Sequence, residues 1–233
     1  MRRNAHLVVA AAEPAGVVDT VAELTRAAEE RQAGAIALLG DLAGAAGPER
    51  FVTLFTAINT SRRPVFWVPG PHDAPVAEYL RAAHGVEAVK PWLHGVHGTA
   101  VLSPDYVVFA GMGGDVIDDP GAGREEIHLL RYPGWEVEYR LKVLRELPRD
   151  YPVVLLFTTA PAHKGLGRPG SQVLADLINT YRPKVVLIAG GQAGQTETLG
   201  TSLMVHVGSL QRKEHVTVNI ATREVWSGCI PAG

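Results

Sequence analysis

Short apolar runs alternate with segments whose apolar residues recur every three or four positions. Leu7 to Ala12 forms one such run, and Val17, Val18, Val21, Leu24 and Ala28 then repeat with helical spacing to about Gln32. Ala35 to Leu39 is a second continuous run, the pattern of a strand covered on both faces. Gly47-Pro48 opens the next helix, with proline tolerated in a first turn, and Phe51, Leu54, Phe55 and Ile58 line its inner face. Val65 to Val68 is the third strand. A helix from Ala77 to Ala83 follows, and Gly85 ends it. Three strand-helix units in succession predict a parallel sheet with right-handed crossovers.

The pattern then changes. His97 to Leu102 and Tyr106 to Ala110 read as strands around the turn Ser103-Pro104-Asp105. Gly111 to Arg124, rich in Gly and Asp, reads as a loop. Trp135 to Leu147 reads as a helix with a solvated face, Glu136/Arg140 and Glu138/Lys142 standing at i,i+4. Val153 to Phe157 and Val185 to Ala189 are further buried strands. Between them a helix starting near Ser171 turns Val173, Leu174, Leu177 and Ile178 inward. Thr196 to Leu199, Leu203 to Val207, Val216 to Ala221 and Arg223 to Trp226 look antiparallel. No repeat, low-complexity segment or linker divides the chain. One domain over residues 1–233, with two mixed sheets face to face and helices outside, is the simplest arrangement.

Charge narrows the partners. A net charge of -2 offers no basic surplus for nucleic acid. No run approaches the ~18 apolar residues of a membrane helix. Met1-Arg2-Arg3 before His6 to Ala12 faintly mimics a signal peptide, but the run is short and reads as a first strand. The expectation is a cytoplasmic protein. Cys229 is the single cysteine, so the sequence offers it no partner for a disulfide within the chain.

Polar residues recur where strands end. Glu13 follows the first strand, Asp41 the second and His72-Asp73 the third. Thr158-Thr159, with His163 beyond, follows Phe157, and Gly191-Gln192-Ala193 follows Ala189. The crevice outside the carboxyl ends of strands is where an α/β sheet binds ligands. Each of these residues also suits a plain turn or cap, Asp73 as the cap of the next helix included. Ser171 opens a helix whose N-terminus favours anions, with Lys164 and Arg168 nearby, so these three form a candidate anion site. Gly165 to Gly170 fits G-x-G-x-x-G but contains Pro169 and lacks the following acid of a dinucleotide fold. Asp115, Asp118 and Asp119 fit no EF-hand spacing and read as a solvated loop. His84, His94, His97, His128, His206 and His215 form no close ligand pair and read as surface or satisfied core residues.

In this order the strand ends resemble the calcineurin-like metallophosphoesterases. That family runs Asp-x-His, Gly-Asp-x-x-Asp, Gly-Asn-His-Asp/Glu, a lone His, and Gly-His-x-His. Here the matching stretches are Glu13-Pro14-Ala15, Gly40-Asp41-Leu42-Ala43-Gly44, Gly70-Pro71-His72-Asp73, Thr158 before Pro161, and Gly190-Gly191-Gln192-Ala193. Gly208-Ser209-Leu210 before two closing strands is a further echo. Val68-Pro-Gly-Pro, Asp73-Ala-Pro and His163-Lys-Gly-Leu look like a divergent bacterial branch.

The resemblance implies a four-layer α/β/β/α sandwich of two mixed sheets. It also implies a metal centre, projected here onto Glu13 and Asp41 alone, because Ala15, Pro71, Gly191 and Ala193 carry no ligating side chain. His72 takes the place of the family's general acid, and the Asp73 carboxylate that of its orienting partner. The function expected is binding of a phosphate-bearing small molecule or a protein partner, around a degenerate centre and without two-metal catalysis. The alternative is a phosphoesterase hydrolysing a phosphate mono- or diester, with one Mn²⁺ or Mg²⁺ held weakly by Glu13 and Asp41.

Overall fold

The computed structural model describes residues 4–44, 47, 49–58, 62–73, 75–119, 127–148, 150–166 and 169–230. Among these, two six-stranded sheets carry the fold. The first contains β1 (Asn4–Ala12), β2 (Ala33–Leu39), β3 (Val65–Val68), β4 (Leu93–Gly95), β13 (Glu214–Asn219) and β14 (Val225–Cys229), in the order β14-β13-β1-β2-β3-β4. The second contains β5 (Ala100–Leu102), β6 (Val108–Met112), β9 (Val153–Phe157), β10 (Val185–Ile188), β11 (Thr196–Leu199) and β12 (Ser202–His206), in the order β11-β12-β10-β9-β6-β5. A separate ribbon pairs β7 (Asp115–Ile117) with β8 (Arg131–Pro133). In the first sheet β1, β2, β3 and β4 run parallel, with β13 and β14 antiparallel on the β1 side; in the second β12, β10, β9 and β6 run parallel, with β11 and β5 antiparallel at the two edges.

Alternating side chains sort the core into three layers. Ile36, Leu38 and Trp67 point outward to Leu24, Leu54 and Phe55 of the helices α1 (Val18–Glu30) and α2 (Glu49–Ile58), beside α3 (Val76–Glu87). Leu39, Phe66 and Val68 point inward to Phe109, Leu156 and Leu187 of the facing sheet. Phe66 and Phe109 stack there with ring centroids 3.8 Å apart. Behind the second sheet, Leu155, Phe157 and Ile188 meet Leu174 and Ile178 of α5 (Gln172–Tyr181) and Val137 of α4 (Gly134–Leu141). This is the four-layer α/β/β/α sandwich of two mixed sheets. Every residue of β2 is buried, which is why its apolar run is unbroken.

Several boundaries differ from the sequence reading. The helix expected to stop at Gly85 runs on to Glu87, because Val86 still has a core position to fill. The strand expected from His97 begins at Ala100, after Gly98 adopts a φ of 68°. The helix expected to Leu147 gives way to a 3-10 turn, Lys142–Arg145. The stretch read as a loop from Gly111 holds β7. Leu203 and its neighbours lie parallel to β10, not only antiparallel to β11. Pro48 and the end of the 111–124 stretch lie outside the described residues. Among the described residues no helix is long and apolar enough to cross a membrane.

Candidate functional site

Parallel strands bring their carboxyl ends to one side of the sandwich, and the two sheets touch there. Ala12 pairs with Ser209 and donates its N–H to Gly208 O at 3.1 Å. Gly190 pairs with Gly208. Gly114 N–H reaches across to Pro69 O at 2.8 Å. The ends of β1, β2, β3, β9 and β10 thus lie on one side of the sandwich, the side where an α/β sheet binds ligands.

The backbone there is strained. Glu13, Ala15 and Asp41 have φ values of 55°, 47° and 45°, in the left-handed region that non-glycine residues seldom enter. Backbone hydrogen bonds hold them: Glu13 N–H faces Leu39 O and Gly40 O, each at 3.2 Å, and Ala15 N–H reaches Asp41 O at 2.9 Å. Glu13 and Asp41 thus sit on the ends of adjacent strands. Gly70 has to be glycine, since a Cβ there would collide with the backbone N and the carboxylate of Asp41.

Two carboxylates organise the end of β3. Asp73 is buried, and its oxygens accept four backbone N–H groups. Oδ2 takes Leu42 and Gly70, each at 2.8 Å; Oδ1 takes Ala43 at 2.9 Å and Gly44 at 3.0 Å. Burial raises the Asp73 carboxyl above its ordinary range, while the four donors pull the other way. Asp73 is therefore a clamp between the β2 and β3 loops. The partner that the sequence reading gave to His72 is turned away from it. Asp41 has that place instead: Oδ2 lies 2.8 Å from His72 Nδ1 and Oδ1 accepts the His72 backbone N–H at 3.1 Å.

A carboxylate only accepts, so His72 Nδ1 carries its proton toward Asp41 and Nε2 is the nitrogen left for other partners. The imidazole is exposed, with 74% of its side-chain surface accessible. Its hydrogen bond to Asp41, then the Asp41 charge, raise its pKa above 6.5, and the Asp115 and Asp73 charges add to this. Asp115, expected in a solvated loop, lies on β7 and pairs with Arg131 Nε at 3.8 Å.

The second sheet supplies less polar chemistry. The Thr158 hydroxyl donates to Gly114 O at 2.5 Å, and the Thr159 hydroxyl receives Val116 N–H at 2.9 Å. A side chain at Gly191 would run into the buried ring of His206, whose Nδ1 lies 2.9 Å from Gly190 O. His163 Nδ1 accepts the Gly165 N–H at 3.2 Å and lies 4.0 Å from the Glu197 carboxylate. Among the described residues no three His, Cys, Asp or Glu side chains gather closely enough to share an ion.

The anion site expected at Ser171 is filled from within the chain. Ser171 caps α5, its Oγ accepting Leu174 N–H at 3.2 Å. That hydroxyl donates to Asp118 Oδ1, and Gln172 N–H meets Asp118 Oδ2 at 2.6 Å. The negative charge that a helix N-terminus favours is thus the Asp118 carboxylate, which occupies the place an external anion would need. Lys164 is exposed on a neighbouring 3-10 turn, and Arg168 lies outside the described residues. Asp118, read from the sequence as part of a solvated loop, instead bonds the start of α5, and a contact spanning 53 residues leaves no local spacing to detect. The sequence places Ser171 at the start of a helix but does not show which carboxylate meets it.

A family model described as metallophosphoesterase, calcineurin superfamily, matches residues 48–230. No curated protein matches the sequence. Among solved structures, TT1561 of Thermus thermophilus is 37% identical; the alignment covers 97% of this chain and 99% of that one, with a TM-score of 0.90. Two more distant structures share the fold alone. Phosphopantetheinyl hydrolase from Mycobacterium tuberculosis is 14% identical over 88% of this chain and 90% of its own, with a TM-score of 0.59. A dimetal phosphatase from Danio rerio is 12% identical over 97% and 99%, also with a TM-score of 0.59.

Proposed function

The chain belongs to the calcineurin superfamily of metallophosphoesterases, and on that premise we propose that it binds a phosphate-bearing ligand in the strand-end crevice without two-metal hydrolysis. The observation that carries this reading is the state of Asp41. It stands where the family's pattern has a metal-bridging carboxylate, and both its oxygens already receive hydrogen bonds from His72.

The donor set supports the same reading. A pair of catalytic ions needs several imidazole and carboxylate ligands. Ala15, Pro71, Gly191 and Ala193 offer none, and the His206 ring fills the space that a side chain at Gly191 would need. The residues present do not fit a two-metal centre. His72 is suited to the remaining task. With Nδ1 held by Asp41, a protonated imidazole presents Nε2–H to a phosphate oxygen, a charge-assisted hydrogen bond.

A second reading rests on the placement of Glu13 and Asp41 on adjacent strand ends. There they would hold one divalent ion weakly in a phosphoesterase with His72 as its acid.

A thermal-shift series separates the readings. Inorganic phosphate, nucleotides and sugar phosphates are added with chelator present, to the wild type and to His72→Ala. Stabilisation of the wild type alone, about 2.7 kcal/mol at a hundredfold excess over Kd, is the expected result. A response that appears only with added Mn²⁺ favours the second reading, and a flat response across all ligands contradicts the first.

A further inference from the structure

The segment between β4 and β5 is where the chain leaves one sheet for the other, and it does so beside the crevice. Val96 N–H bonds Trp67 O of the first sheet at 2.9 Å, and Gly98 N–H bonds Gly111 O of the second at 2.8 Å. Between these two residues stands His97. Its Nδ1 accepts the Gly113 N–H at 3.0 Å. The next residue, Gly114, returns to the first sheet by donating to Pro69 O, three positions before His72, and its own carbonyl receives the Thr158 and Thr159 hydroxyls. The hydrogen bonds thus form a closed circuit from Trp67 through Val96, His97, Gly113 and Gly114 to Pro69.

We infer that His97 is a positioning residue for the crevice, its Nδ1 fixing Gly113-Gly114 as the crossbeam that sets the His72 half of the site against the Thr158 half. The crossbeam works at close quarters. A Cβ on Gly113 would collide with Pro69, and one on Gly114 with the Leu130 carbonyl. Small displacements at Gly113 are therefore passed to Pro69 and to the loop that carries His72.

The ring is held in one tautomer. Nδ1 accepts, so Nε2 bears the proton and donates to the Tyr132 hydroxyl at 2.9 Å. Loss of hydration, with the Arg140 charge beside it, pushes the His97 pKa down to about 3, so Nδ1 keeps its lone pair across the working pH range. Tyr79 packs edge-on against the same ring, with centroids 6.3 Å apart. This role concerns how the two halves are held whichever ligand enters, so a failure of phosphate to bind would leave it standing.

Two substitutions divide the ring's functions. His97→Asn keeps an acceptor near the Nδ1 position and loses the bond to Tyr132. His97→Gln keeps a donor near Nε2 and loses Gly113. Nitrogen-15 NMR of the ligand-free chain reads the Gly114 amide and the His72 ring nitrogens, with melting temperature as the control for general loosening. The expected result is that His97→Gln shifts both sets of signals while His97→Asn leaves them near wild type, with both variants folded. Equal shifts in the two variants, unchanged signals in both, or the reverse order would overturn the inference. Should neither variant fold, the wild type decides. A His97 ring protonated at Nε2 alone upholds the circuit, and one protonated at Nδ1 breaks it.

Discussion

Asp41 grips His72 twice, through the backbone N–H at 3.1 Å and through the ring nitrogen Nδ1 at 2.8 Å. The two residues come from the ends of neighbouring parallel strands, β2 and β3. The grip fixes where the loop runs and which way the imidazole faces. A carboxylate engaged in this way orients a histidine.

The His72 titration follows from that contact. Its pKa lies above 6.5 mainly because of Asp41. In Asp41→Asn the midpoint of an NMR titration of His72 falls towards the ordinary histidine value. Asp73→Asn, next to His72 in sequence but turned away from the ring, produces a smaller change. A midpoint that stays put in Asp41→Asn would disprove the assignment.

Asp73 matters to the fold rather than to the imidazole. Replacing it by alanine leaves four backbone N–H groups without their acceptor in a buried loop. The expected loss is about 3 kcal/mol or more in urea unfolding, given the cost of buried unsatisfied donors. A loss below about 1 kcal/mol would mean that water replaces the carboxylate without difficulty.

Stability also carries a histidine signature. The His97 pKa is about 3 when folded against 6.5 as its ordinary value. Above 6.5 both states hold a neutral ring, and the residue contributes no pH dependence. As pH falls below 6.5 the unfolded chain takes up a proton that the folded chain refuses, so stability declines until about 3. The slope is at most about 1.4 kcal/mol per pH unit. Burial lowers His94 and His215 too, which adds to the decline. The difference between the wild-type and His97→Asn stability curves isolates the His97 part; parallel curves would refute it.

Asp118 and Ser171 form the other long-range lock. Ser171→Ala removes a helix cap and is expected to cost about 1 kcal/mol. Asp118→Ala removes the carboxylate that bonds the same hydroxyl and Gln172 N–H. Because the two share a partner, the double variant should lose less than the sum of the single losses. Strict additivity in denaturant unfolding would contradict this contact.

The sheets were legible because a strand buried on both faces reads as an unbroken apolar run, as Ala35 to Leu39 does. The helices were legible through residues such as Leu24 and Ile178, spaced to face one side. The site was legible only as a set of strand ends. Glu13, Asp41, His72 and Thr158 stand at the same end of the sandwich, because parallel strands must point their carboxyl ends together. Which of them touch was not legible. His72-Asp73 looked like a pair because the residues adjoin in sequence, yet adjacent side chains on a tight 3-10 turn diverge, and the real partner of His72 lies 31 residues away. His97 showed no spacing that could reveal its place between the sheets.

Metal content tests the central claim most directly. The chain is equilibrated with Mn²⁺, freed of unbound ion and measured by elemental mass spectrometry. Near-zero metal per chain is expected, in wild type and Asp41→Asn alike. Two ions per chain in the wild type, lost in Asp41→Asn, would contradict it and restore a two-metal centre.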